Sequence, residues 1–141
     1  MTHTSNMMYT IAMNRQWKVH FYKSSDGFCP IRAFLDSLSV RERAKAASWI
    51  NMLNEHGINL HRPFADLLED GIHELRMKLS GDQIRVLYFF CYRDYIILTH
   101  DFVKTSDKVP KKEIIRAKES RTDFLKMYNE TTIRRLDHDI L

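Results

Sequence analysis

The stretch from His73 to Lys104, HELRMKLSGDQIRVLYFFCYRDYIILTHDFVK, limits the possible folds more than any other part of the chain. Two polar clusters, Ser80-Gly81-Asp82-Gln83 and Tyr92-Arg93-Asp94, interrupt runs of apolar, β-branched and aromatic residues. That is the pattern of three antiparallel strands joined by tight turns. Side chains alternate across a sheet, so Glu74, Arg76 and Lys78 share one face of the first strand, and Leu75, Met77 and Leu79 the other. Pairing Ser80 with Gln83 sets Lys78 opposite Arg85, with Arg76 two residues further along the same face. Continuing that parity brings Leu98, His100, Phe102 and Lys104 there too. Like charges facing each other across strands destabilise a sheet unless something compensates. Such a face either splays its cations into water or has an anion to put between them. Cations beside one imidazole suit a phosphodiester, because they supply charge for the phosphorane oxygens and a group that moves a proton near neutral pH. The plainer reading is a half-buried strand with solvated cations, Glu74 pairing with Arg76 or Arg85.

Size and composition set the frame for this core. The 141 residues, 44% of them apolar, suffice for one domain with a real core. A net charge of +4, from 22 basic and 18 acidic residues, leans mildly towards polyanionic partners. Cys29 and Cys91 are isolated, so neither a disulfide framework nor a zinc ribbon is expected, and a reduced cytoplasmic setting fits. The seven histidines form no His-x-x-x-His pair, so no metal ligands are assigned and no cofactor is expected. No apolar run approaches the length of a membrane span, which is about 18 residues.

In chain order, residues 1–16 read as a flexible leader, and residues 17–130 as the domain. Trp17, Val19 and Phe21 alternate with Lys18, His20 and Tyr22 as a strand with one apolar face. Pro30 opens a short helix with Ile31, Phe34, Leu35 and Leu38 on one side. Ser39-Val40-Arg41-Glu42 is a capping box opening a second helix, whose buried stripe is expected to be Val40, Ala44, Ala47, Ile50 and Leu53, with Gly57 ending it. The two form a hairpin covering the sheet's apolar face. Leu60 to Gly71 reads as a connector anchored by Phe64, Leu67 and Leu68. Pro110 starts a last helix with Glu113 in its first turn, an apolar side of Ile114, Ala117, Phe124 or Leu125 and Tyr128, and a basic side that includes Lys111, Lys112 and Arg116. Residues 131–141 are a mixed-charge tail that could continue as helix.

The order strand, helix, helix, three strands, helix resembles the RelE/ParE superfamily of type II toxin–antitoxin toxins, and within it the phage-derived, HigB-like branch. The resemblance is carried by Leu67 to Gly71 leading into Ile72-His73-Glu74-Leu75-Arg76, by Ile84-Arg85-Val86-Leu87-Tyr88, by Leu98-Thr99-His100-Asp101-Phe102-Val103-Lys104, and by Pro110 to Ala117. It covers roughly Trp17 to Lys126. It implies an α+β domain: a small antiparallel sheet of about four strands, a helical hairpin on one face and a C-terminal helix. It also implies a metal-independent endoribonuclease that cuts messenger RNA on the ribosome through the ribose 2′-hydroxyl. A partner antitoxin, often of helix-turn-helix type, would silence it. Carried over by position, Arg76, Lys78, Arg85 and Lys104 are the phosphate candidates, joined by Lys108, Lys111 and Lys112. His100 is the first candidate for proton transfer, with Lys108 and Tyr128 behind it. ParE-like inhibition of DNA gyrase and a non-catalytic nucleic-acid-binding subunit are the alternatives.

Overall fold

The structure, a computed structural model, describes residues 17–140; the leader expected over residues 1–16 lies outside them. Strand β1 is Lys18–Phe21, followed by helices α1 (Pro30–Ser37) and α2 (Val40–His56) and a 3-10 turn at Gly57–Asn59. Strands β2 (Ala65–Glu69), β3 (Ile72–Leu79), β4 (Asp82–Cys91) and β5 (Tyr95–Val103) come next. Helices α3 (Lys111–Met127) and α4 (Glu130–Ile140) close the chain.

The sheet has five strands in the order β1-β5-β4-β3-β2, and it is mixed, because β1 runs parallel to β5 while the other pairs are antiparallel. This corrects the expectation of about four antiparallel strands. The extra strand is β2, within the stretch read as a connector. Its hairpin to β3 turns on Asp70 (φ 49°) and Gly71 (φ 77°), two successive left-handed residues. Asp-Gly between apolar runs is a strong hairpin signal, so the cue was in the sequence.

Each face of the sheet carries its own core. On one, α1 and α2 bring Ile31, Phe34, Leu35, Ala46 and Leu53 onto Leu75, Met77, Leu79, Val86, Tyr88 and Ile96. On the other, Ala117 and Phe124 of α3 and Ile133 of α4 meet Ile72, Leu87, Phe89, Tyr95 and Ile97. Burial on both sides explains why Val86 to Phe89 and Tyr95 to Leu98 are continuously apolar rather than alternating. The helical hairpin is where the sequence puts it, and the Ser39 hydroxyl accepts from the Glu42 N–H as the capping box requires (3.1 Å). Its buried stripe matches the expected one at Ile50 and Leu53 and differs from it at Val40, Ala44 and Ala47, which are exposed. Val40 is 82% exposed, and the inward residues of α2 are Ala46 and Leu53, flanked by Trp49 and Ile50. The periodicity of Val40, Ala44 and Ala47 is equally regular, but the first half of α2 turns Ala46 to the core instead.

Residues Thr131 to Ile140, expected as part of a tail, lie within α4, which packs on the domain through Ile133. Ile133 is 1% exposed, and burying such a side chain contributes about 1.5–3 kcal/mol. Arg134 Nη2 lies 2.6 Å from Asp94 Oδ1 and 2.8 Å from the Tyr92 carbonyl oxygen, tying α4 to the β4–β5 turn. The described residues include no helix long and apolar enough to cross a membrane.

Candidate functional site

The turn between β3 and β4 decides which cations meet. Ser80 (φ 50°) and Gly81 (φ 85°) are both left-handed and form a two-residue turn, so Leu79 pairs with Asp82. Arg76 therefore stands directly opposite Arg85, and Lys78 opposite Gln83. This corrects the expected pairing of Lys78 with Arg85. The shift is by two residues, so the face is unchanged. On β5 the ladder slips: Leu87 pairs with His100 but Tyr88 with Leu98, leaving Thr99 as the extra residue of a bulge. Leu98 consequently joins the core beneath the helical hairpin instead of the cationic face, while His100 and Phe102 stand beside Leu87 and Arg85. Lys104 follows the end of β5, held by a backbone hydrogen bond from its N–H to the Gln83 carbonyl (2.7 Å).

Two guanidiniums facing each other need an anion, and Glu74 supplies it. Its Oε2 accepts from Arg76 Nε at 3.0 Å, and its Oε1 lies 3.1 Å from Arg85 Nε. Both Glu74 and Arg85 are buried, whereas the Arg76 side chain is 31% exposed. The second contact is badly aligned, so neither Glu74 Oε1 nor Arg85 Nε has a well-formed hydrogen bond. Arg85 spends another group on the Ile84 carbonyl oxygen, 3.2 Å from Nη1. Burial lowers the Arg85 pKa from its usual value, with the Glu74 charge opposing, but a guanidinium stays protonated in any case.

In front of this pair is an open cavity of about 580 Å³, between the β2–β3 hairpin, the loop after Lys104 and the first turn of α3. Arg62, Arg76, Lys104, Lys108 and Lys111 bring cations to its wall, and Asp66, Glu69, Glu74 and Asp107 bring carboxylates. Several charges are already matched. Arg62 Nη2 is 2.8 Å from Asp66 Oδ2 and Arg76 Nη2 3.6 Å from the same atom. Lys111 Nζ is 3.3 Å from Glu69 Oε1, and Lys118 Nζ 2.8 Å from Glu69 Oε2. The Lys118 and Lys111 ammonium groups hold the Glu69 carboxyl below the ordinary range. Pro110 begins α3 without a side-chain cap, which leaves the first turn's N–H groups without a side-chain acceptor at that position.

Of the candidates from the sequence, Arg76, Lys104, Lys108 and Lys111 are thus gathered around one cavity. Arg85 lies behind Glu74 and does not line it; Lys78 and Lys112 are exposed elsewhere. Tyr128 lies beyond the end of α3, packed against the core there. Glu74 was seen in the sequence only as a pairing partner. Asp66 and Arg62 were missed, because they lie in the stretch read as a connector and their relevance depends on β2 folding beside β3.

His100 is 1% exposed, beneath α3. Its Nε2 donates to Glu113 Oε1 at 3.0 Å, and its Nδ1 faces the Thr99 hydroxyl at 3.0 Å. Burial, reinforced by Arg116, pushes its pKa down to about 4 against the pull of Glu113. The ring is therefore neutral at physiological pH, and it fastens α3 to the bulge without lining the cavity. A folded pKa below the unfolded value means that the unfolded chain binds the extra proton. The stability tied to neutral His100 is fully present above about pH 6.5 and is lost as pH falls from there towards 4, up to about 3 kcal/mol. His73, whose pKa burial also lowers, adds to the same trend. Urea unfolding at stepwise pH should show this slope in the wild type and a shallower one in His100→Gln. An unchanged slope would mean that His100 is not the group titrating.

A five-stranded mixed sheet with helices on both faces, and a cavity where cations from β3, the loop after β5 and α3 meet carboxylates, defines a small α+β protein with a charged cavity at one side of its sheet. The chain belongs to the family described as phage derived protein Gp49-like (DUF891), which it matches over residues 33–122. This is a RelE/toxin-like family of toxin–antitoxin systems, and membership implies an antitoxin partner. The matched stretch contains Glu74, Arg76, Arg85, Lys104 and Lys111. No curated protein matches the chain.

Proposed function

We propose that this protein is the toxin of a type II toxin–antitoxin pair, of RelE type and HigB-like, and that it cuts messenger RNA on the ribosome in the cytoplasm. The ribose 2′-hydroxyl would attack the adjacent phosphate, forming a 2′,3′-cyclic phosphate and expelling the 5′-oxygen of the next nucleotide. The nucleophile belongs to the substrate, so the protein's task is to orient it, stabilise the phosphorane and move two protons. The observation that carries the reading is the cavity where Arg76, Lys104, Lys108 and Lys111 converge, with Arg85 directly behind. The ammonium group of Lys104 or Lys108 would protonate the leaving 5′-oxygen, and the carboxylate of Asp107 on the same wall would take the proton from the 2′-hydroxyl. Buried His100 acts at one remove, by fixing α3 and with it Lys111. The antitoxin, expected to carry a helix-turn-helix domain, would block this cavity.

Induced expression followed by mapping of messenger RNA 5′ ends tests the proposal. New 5′ ends should appear with the wild type and with Lys126→Ala, a change on the exposed side of α3, and vanish with Arg85→Ala. One observation favours a second reading, ParE-like binding to DNA gyrase: much of the cationic wall is already matched by carboxylates. Supercoiling defects with intact messenger RNA would decide for that reading.

A further inference from the structure

We infer that Glu74 is a positioning residue: a resident anion that holds Arg76 and Arg85 in place and yields to a phosphate entering the cavity. The inference rests on the toxin reading only for whose phosphate this is. Glu74 stands at the cavity wall, and Arg85, opposite Arg76 in the ladder and 3.1 Å from Glu74, does not itself line the cavity. Without a negative charge between them, directly opposed guanidiniums on one face would repel. The carboxylate therefore supplies, from within the chain, the negative charge that a bound anion would bring.

Its fit to Arg85 is incomplete. Glu74 Oε1 and Arg85 Nε lie 3.1 Å apart, each nearly inaccessible, yet the pair lacks hydrogen-bond alignment. A buried charge pair gains its full strength only when its donors and acceptors are also satisfied. The contact to Arg76 is well formed at 3.0 Å, but that side chain is 31% exposed and already lines the cavity. A phosphate oxygen brought in by Lys104 and Lys108 can take over Arg76 and then Arg85, with Glu74 swinging aside towards Arg62. Glu74 would thus keep two arginines poised in a dry setting while making weak or singly charged anions poor competitors for them.

Arginine side-chain Nε–Hε resonances of the full-length chain, followed by NMR during titration with inorganic phosphate, test this. In the wild type, both the Arg76 and Arg85 signals should move together with the Glu74 carboxyl carbon. In Glu74→Gln, which keeps the shape and removes the charge, phosphate should bind about tenfold tighter, as one removed like charge a few ångströms away predicts. Saturation of wild-type Arg76 with Arg85 unmoved would overturn the inference even if Glu74→Gln fails to fold. Equal or weaker phosphate binding by a folded Glu74→Gln would overturn it too. Both readouts are independent of RNA cleavage, so loss of the nuclease reading would leave them standing, and their failure would leave the cleavage assay unaffected.

Discussion

Arg85→Ala should unfold about 3–5 kcal/mol more easily than the wild type, because it strands the Glu74 carboxylate in the protein with one of its two compensating charges gone. Truncation also removes a guanidinium that donates to the Ile84 carbonyl (3.2 Å). The remaining partner, Arg76, is partly hydrated and shared with Asp66 at 3.6 Å, so it compensates poorly. Removing both charges together has a different consequence. The double change Glu74→Leu with Arg85→Met takes away two desolvated ions and substitutes apolar volume between Leu87 and Phe102, so it should regain most of the loss and sit within about 2 kcal/mol of the wild type. Messenger RNA cleavage should stay abolished in the double variant. That separates the role of Arg85 in holding the fold from its proposed role on the phosphate. Urea unfolding supplies the stability arm and 5′-end mapping the activity arm. A stable Arg85→Ala would mean that the pair contributes nothing when buried; a cleaving double variant would remove Arg85 from the proposed site.

Gly57→Ala should be the most damaging small substitution in the hairpin region, lowering stability by about 3–5 kcal/mol. Gly57 ends α2 with φ 52° and ψ −123°, a conformation open to glycine and costly for other residues. The larger penalty is steric, since a Cβ there would overlap the indole of Trp17. Trp17 cannot simply move away. Its ring packs edge-on against Phe90 at 5.3 Å, its N–H donates to the Asn54 carbonyl (3.0 Å), and its own carbonyl accepts from Asn54. Displacing it would pull β1 off α2. Gly27 offers the comparison, because φ is 94° there but a Cβ would meet open space. Gly27→Ala should therefore cost only the backbone strain, about 1 kcal/mol. Thermal and urea unfolding of the two variants would show the gap, and equal losses would mean that the indole is free to shift.

The secondary structure that depends on local chemistry was legible. Pro30 opening α1, the Ser39 capping box, the Ser80-Gly81 turn and the apolar runs of β4 and β5 each state their structure within a few residues. β2 was legible as well, through Asp70-Gly71, but a five-residue edge strand, Ala-Asp-Leu-Leu-Glu, lacks the long apolar run that draws attention to its neighbours. What local pattern could not settle was choice between equivalents. Leu53 and Ile50 of α2 face the core as their periodicity indicated, but at the start of the stripe only packing against β3 and β1 selected Ala46 over Val40, Ala44 and Ala47.

For the candidate site, the sequence alone determined that Arg76 and Arg85 share a face, because strand alternation survives a register shift of two. Only the tertiary structure decided the rest. The bulge at Thr99 turned Leu98 away, α3 closed over His100 and neutralised it, and β2 brought Asp66 and Arg62 alongside Arg76. The physical reason is one of range. Alternation and turn dihedrals are fixed between neighbours in the chain. Burial, charge compensation and the shape of a cavity are fixed by groups tens of residues apart, which meet only once the sheet has its helices on both sides.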